Sequence, residues 1–390
     1  MDRRSFVKAG CIGSASLLMQ GLDPMMRADA APAPAPKATP PIELQGLSDY
    51  KPSPLGMPGL FPGRVVAVRK SNAIVRNRVS QPIVRQMLEH SMKELTGEKS
   101  VQAAWAKFVE PSDIVGIKIN PSGAPACCSS PEVIREIISA VQSVGVPSRN
   151  IVVYDRYSYE IDIGSYQALL PPGIRIVGIQ EAFSGTAGYE PKIYCSAEFF
   201  GEWETRSYMA SIVAHELTKI INVPTMKDHS ASGVTGSLKN LAYGTFNNVA
   251  RTHRAPYSFT NPLIGLMCTV EPLRSKAVLH IMDGMRQVWH GGPLTQVQNF
   301  IDQTGILLVA TDPVALDTIE LDAIEKKRRE RGAPSLWQHD PNSITSDNDA
   351  FCHDASKNLF FRQPGHIAAA GKLGLGVADL EQIDYLLLSA

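Results

Sequence analysis

Several common functional signatures are missing from this sequence. It has no C-x-x-C pair, no H-E-x-x-H helix motif and no G-x-x-x-x-G-K-[ST] loop. The first absence excludes zinc ribbons and ferredoxin-type iron–sulfur sites, the others a local zincin site and a Walker nucleotide loop. Charge of either sign is not in excess: 38 basic and 38 acidic residues cancel. Nucleic-acid binding, which rests on basic surface, is therefore not expected. Beyond the N-terminus no apolar run is long enough to cross a bilayer, so no stable membrane anchor is expected.

The first 30 residues have the form of a twin-arginine export signal. Arg3-Arg4-Ser5-Phe6-Val7-Lys8 precedes a short, glycine-containing apolar stretch from Ala9 to Leu22, and Ala28-Asp29-Ala30 offers a small-x-small cleavage pattern. Cys11 lacks an apolar lipobox before it. The expectation is a protein handed folded to the twin-arginine machinery and delivered to the periplasm or another extracytoplasmic space. That route is shared by many proteins loaded with a cofactor before export, so a metal ion or organic group is compatible with it. "APAPAPKATPP" then reads as an extended spacer within a lead-in over 31–60. Without residues 1–30 the charge is 34 − 35 = −1. Five cysteines remain, Cys127, Cys128, Cys195, Cys268 and Cys352, an odd number that leaves at least one thiol unpaired within the chain.

From residue 61 to 390 strand-length apolar runs alternate with helical periodicity. "RVVAVR" (64–69), "DIVGIKIN" (113–120), "NIVVYD" (150–155), "IRIVGI" (174–179), "KIINVP" (219–224), "AVLHIMDG" (277–284), "GILLVAT" (305–311) and "DYLLLS" read as strands. Helices are expected over 81–95, from Pro131 to Gly145 with Ser130 as N-cap, from Pro313 onward and near 365–373. The class is α/β: an open, mostly parallel sheet with helices on both faces, Rossmann-like. Its length also suits two lobes, about 61–215 and 216–390.

In such sheets ligands sit beyond the carboxyl ends of the strands, which directs attention to the loops there. "KDHSASGVTGSLKN" (227–240) follows one strand and opens a helix. Ser232, Gly233, Thr235 and Gly236 could offer backbone N–H groups to an anion at that helix N-terminus, with Lys227, Lys239 and Asn240 alongside. Asp228 and His229 could serve as base, acid or ligand, although a glycine-rich turn with a capping Asp228 and a solvated His229 would use the same residues. Arg251, His253 and Arg254 could clamp a carboxylate or phosphate. Lys118 and Asn120 end an Ile-rich strand, where a lysine must be at the rim or paired. Asp283 and His290 flank a glycine-containing turn, whereas His280 inside the strand reads as a core histidine and Asp312 as an N-cap. His229, His290 and Asp283 together would suit a first-row metal. Catalytic roles fall on Lys118, Lys227, His229 and Asp283; anion contacts fall on Asn120, Ser232, Gly233, Thr235, Gly236, Lys239, Asn240, Arg251 and His253.

The segments "DIVGIKIN…SPEVIREIISAV…NIVVYD", "VPTMKDHSASGVTGSLKNLAYG", "IMDGMRQVWHGGP…LLVATDPVALDTI" and "HIAAAGKLGLGVADLEQIDYL" resemble the DUF362 family over roughly residues 64–390. The resemblance implies a fold and no reaction. Some members carry ferredoxin modules, whose cysteines are absent here. A looser likeness in layout to nickel-pincer lactate racemase-like proteins implies His/Lys chemistry on hydroxy acids or sugars. The expectation is an exported enzyme, redox or isomerase in type, acting on a small anionic or hydroxylated molecule. Alternatives are a ligand-binding protein without chemistry and an accessory factor for another exported enzyme.

Overall fold

The computed structural model describes residues 40–180, 187–199, 201–253, 259–338 and 364–389. The export signal, nearly all of the spacer, Arg254 and Cys352 lie outside them.

Ten strands form the main sheet: β1 (Arg64–Arg69), β2 (Val115–Lys118), β3 (Ile151–Tyr157), β4 (Arg175–Gln180), β5 (Lys219–Asn222), β6 (Thr225–His229), β7 (Gly233–Val234), β8 (Ala277–Val288), β9 (Ile301–Ala310) and β10 (Asp384–Ser389). The order across the sheet is β10–β1–β9–β8–β5–β2–β3–β4. Strands β8, β5, β2, β3 and β4 run parallel, β10 is parallel to β1, and β9 runs antiparallel between β1 and β8. The sheet is thus mostly parallel, and it draws strands from both sides of residue 215. Beyond Val223 and Pro224 the chain of β5 continues as β6, pairs with the far part of β8, and folds back on β7.

The alternation of each strand feeds two layers. In β1, Val66 and Val68 face one side, Val65 and Ala67 the other; in β9, Leu307 and Val309 oppose Ile306, Leu308 and Ala310. The first side is covered by α1 (Gln81–Thr96) and α2 (Pro131–Ser143) through Val84, Met87, Leu88, Ile134, Ile137 and Ile138. The other is covered by α3 (Gly236–Thr245), α4 (Thr260–Thr269), α5 (Pro313–Glu330) and α6 (His366–Lys372). Helices therefore lie on both faces, as a parallel sheet requires when both must be dry. Among the described residues no helix is long and apolar enough to cross a membrane.

Start and stop signals act as the sequence suggests, with one substitution of partner. Pro131 stands in the first turn of α2 and Ser130 is its N-cap, yet the Ser130 side chain makes no cap bond. Instead the Asp283 carboxylate, from β8, accepts the Ser130 N–H at 2.6 Å. Asp312 caps its own helix α5 through Ala315 N–H and also accepts Gly63 and Val377 N–H at 2.9 Å each, pinning three segments at one carboxylate.

Candidate functional site

Helix α3 lies across the carboxyl ends of β2 and β3, and two lysines are buried beneath it. Lys118 is 1 % exposed and Lys227 is fully buried. Lys118 Nζ pairs with Asp155 at the end of β3 and donates to Asn240 Oδ1 of α3 at 3.0 Å. Gly244 makes this possible, because a Cβ there would collide with the Lys118 side chain. Burial lowers the Lys118 pKa, and Asp155 opposes that effect. Lys227 Nζ donates to Asn120 Oδ1 at 2.7 Å, to Ser122 O at 2.6 Å and to Cys127 O at 3.3 Å. Asn120 Nδ2 in turn donates to Asn240 Oδ1, and Asn240 Nδ2 to Asn222 Oδ1, which continues the chain to His280. His280 is a fully buried core histidine with its pKa pushed down to about 3 by burial. The lysines are thus joined through amides into one buried network.

Above this network sits a group with a different character. Lys239 is half-buried, lies 4.9 Å over the Tyr243 ring, and has no carboxylate partner among the described residues. Burial, then Lys227, bring its pKa down to about 7. The His229 Nδ1 accepts backbone N–H bonds from Ala231 at 3.0 Å and Ser232 at 3.3 Å. With that nitrogen committed as an acceptor, the ring is neutral and carries its proton on Nε2. Burial, then Lys239, hold its pKa well below the usual value. His253 is arranged the other way: Nδ1 lies 3.1 Å from Val249 O, so it donates and Nε2 keeps its lone pair. Burial puts its pKa near 3. The two rings are 5.3 Å apart, and Tyr243 meets His253 edge-on at 5.1 Å. One titrating amine, one N–H donor and one lone-pair acceptor therefore stand together. Below them Glu160, held by Ser122 Oγ at 3.1 Å, is pushed up to about 7 by burial and the Asp155 charge.

The structure redirects several residues that the sequence singles out. The N-terminus of α3 is not an open anion cradle: Asp317 of α5 accepts the N–H groups of Ser237 and, at 2.9 Å, Leu238. Gly236, at φ +58°, leaves the space that this carboxylate fills. Ser232 N–H is spent on His229 and Thr235 N–H on Lys227 O, while Ser232 Oγ donates to Val234 O and Gly233 packs against Pro364. A loop of unusual polarity is in fact a buried hairpin, β6 and β7, whose polar atoms serve one another and α5. Glu320, one turn beyond Asp317, accepts Lys227 N–H at 2.9 Å.

Asp228 lies away from the amine group, accepting Gly292 N–H at 2.7 Å and facing Arg328 at 3.8 Å. His290 Nδ1 stands 3.0 Å from the same guanidinium. Asp283 is buried with both oxygens engaged, by Ser130 N–H and Met285 N–H. Among the described residues no three His, Cys, Asp or Glu side chains come close enough to hold a metal ion, so the grouping of His229, His290 and Asp283 is not assembled. Arg251 is likewise unavailable as a clamp: its guanidinium binds Ala197, Thr205 and Asn248 carbonyls and ties the small antiparallel sheet of Glu43–Gln45, Tyr189–Ser196 and Arg206–Ala210. Cys127 and Cys128 are both free thiols, and burial raises the pKa of each. Residues that sequence reasoning missed are Asp155, Glu160, Tyr243 and Arg156. All but Tyr243 lie at or just past the carboxyl end of β3, where ligands are expected in such sheets but no role was assigned to these residues.

The fold and site define a class: an open, mostly parallel α/β protein with buried lysines and a lysine–histidine group at the strand carboxyl ends. Within that class the chain belongs to the DUF362 family, described as a domain of unknown function, whose model matches residues 115–322. The match spans β2 through most of α5 and so contains every residue of the lysine–histidine group, although it is shorter than the 64–390 expected. No curated protein matches the sequence.

Proposed function

We propose that this protein is an exported enzyme that moves a proton on a small anionic substrate, isomerase-like in type. The observation that carries the reading is Lys239: an amine that titrates near neutrality, without a carboxylate partner among the described residues, beside a donating and an accepting imidazole. General acid–base groups work best when their pKa lies near the working pH. In its neutral form Lys239 takes a proton from carbon next to a carbonyl. The His229 Nε2–H donates to the oxygen on which negative charge develops, and the Lys239 ammonium returns the proton on the same face, to that carbon or to the neighbouring carbon of an enediol. Nothing is oxidised or reduced in this sequence. His253 Nε2 accepts a substrate hydroxyl, and Glu160 supplies a second group titrating near 7. Lys118, Lys227, Asn120 and Asn240 hold the floor of the site.

The test is loss of C–H signal in deuterium oxide, followed by proton NMR, across a panel of small oxo and hydroxy acids with the exported protein. The expected rate rises with pH through about 7 as Lys239 loses its proton. Lys239→Met and His229→Gln should each lower it by about 100-fold or more. Binding of these acids with no exchange in any of them would instead identify a ligand-binding protein.

A further inference from the structure

Arg156 follows Asp155 at the carboxyl end of β3. Strand alternation puts it on the same face as Val152 and Tyr154, which pack with Leu238, Leu241 and Ala242 of α3. It is 6 % exposed. Its Nε donates to Gln180 Oε1 at 3.3 Å, the oxygen that also accepts Tyr189 Oη–H at 3.1 Å, and its guanidinium carbon lies 4.6 Å over the Tyr157 ring. These contacts fix the plane of the guanidinium and leave it without a carboxylate partner among the described residues. A buried, always-charged group in that position is strongly unfavourable unless an anion joins it. It follows Asp155, the partner of Lys118, and so stands at the edge of the buried lysine network.

We infer that Arg156 is the carboxylate-binding residue of this site, and that the substrate is a small monoanionic carboxylic acid bearing a carbonyl or hydroxyl next to the carboxylate. The inference rests on the proton-transfer reading above and names its substrate class. A guanidinium presents two parallel N–H groups that match the two oxygens of a carboxylate. The neighbouring amine also favours a monoanion. Lys118 is matched by Asp155 and Lys227 is held by Asn120 and two backbone carbonyls, while Arg156 has no carboxylate partner among the described residues. A phosphate dianion would favour the Lys239 ammonium more strongly than a single carboxylate does and so weaken the base more.

Calorimetric titration of pyruvate into the full exported chain tests this, with inorganic phosphate as competitor and methyl-proton exchange of pyruvate read in parallel. Wild type should bind pyruvate, Arg156→Lys should bind about tenfold more weakly, and Arg156→Gln about 100-fold more weakly. Lys239→Met should keep the binding and lose the exchange. If Arg156→Gln does not fold, pyruvate must protect wild-type Arg156 from modification by phenylglyoxal. Equal binding by wild type and Arg156→Gln overturns the assignment of Arg156. Failure of wild type to bind pyruvate, or tighter binding of phosphate that depends on Lys239, overturns the carboxylate class. Binding that depends on Arg156 with no exchange in wild type leaves the carboxylate site standing and defeats the proton transfer alone.

Discussion

Lys239 offers the sharpest physical test, because its position makes a claim about stability as well as chemistry. Lys239→Met keeps an apolar stem against Tyr243 and removes the charge. In an unfolded chain a lysine titrates near 10.4, whereas here it titrates near 7. Between those values the unfolded chain holds a proton that the folded chain has released. Stability of the wild type therefore rises with pH from about 7 to about 10 and is lowest below 7. The displacement from 10.5 to about 7 is worth about 5 kcal/mol at ~1.4 kcal/mol per pH unit, as an upper bound. Lys239 is only half-buried, and screening by water reduces the expected effect to about 2 kcal/mol. The cation over Tyr243 returns ~0.5–1 kcal/mol of that. The variant should therefore be more stable than wild type at pH 6 by about 1 kcal/mol or more, and equal to it at pH 10. Urea midpoints at pH 6, 8 and 10 measure this, with the slope m unchanged. Parallel pH dependences in the two proteins, or a Lys239 resonance titrating near 10, would refute the reasoning.

Two further perturbations probe the frame around the site. Asp155→Ala leaves Lys118 buried without its counter-charge, and should destabilise the protein by about 3–5 kcal/mol in chemical denaturation; a loss below about 1 kcal/mol would mean that Asn240 and the neighbouring carbonyl suffice. Asp317→Ala orphans the Ser237 and Leu238 N–H groups and should cost about 1–3 kcal/mol, with faster hydrogen exchange confined to the first turn of α3. Unchanged exchange there would show that Asp317 does not cap that helix.

Much of the fold is legible in the sequence because it is written in local terms. The β-branched runs of β1, β2 and β3, the Ser130-Pro131 start of α2 and the Asp312-Pro313 start of α5 each specify their element within a few residues. The class follows, since strands alternating with helices leave little choice but a mostly parallel sheet with both faces covered. The β6–β7 hairpin has the sequence of a loop for an equally local reason. Lys227, Asp228 and His229 look solvated, and only their distant partners, Asn120, Arg328 and the turn at Ala231, make them tolerable in the interior.

A helix N-terminus with glycines and hydroxyls invites an anion, and the sequence of α3 carries that signal correctly. Whether the anion is a ligand or the protein's own carboxylate depends on α5, some 80 residues later, which places Asp317 there. Asp283 and Asp228 accept backbone N–H groups in the same way, those of Ser130 and Gly292, so acidic residues that suited catalysis serve the backbone instead. Residue types and spacing alone established the elements, the sheet class and the presence of lysine and histidine at strand ends. The fold determined that Lys118 is matched by Asp155, whereas Lys227, Lys239 and Arg156 have no carboxylate partner among the described residues. Charge compensation is set by distances in space, and a linear sequence does not contain those distances.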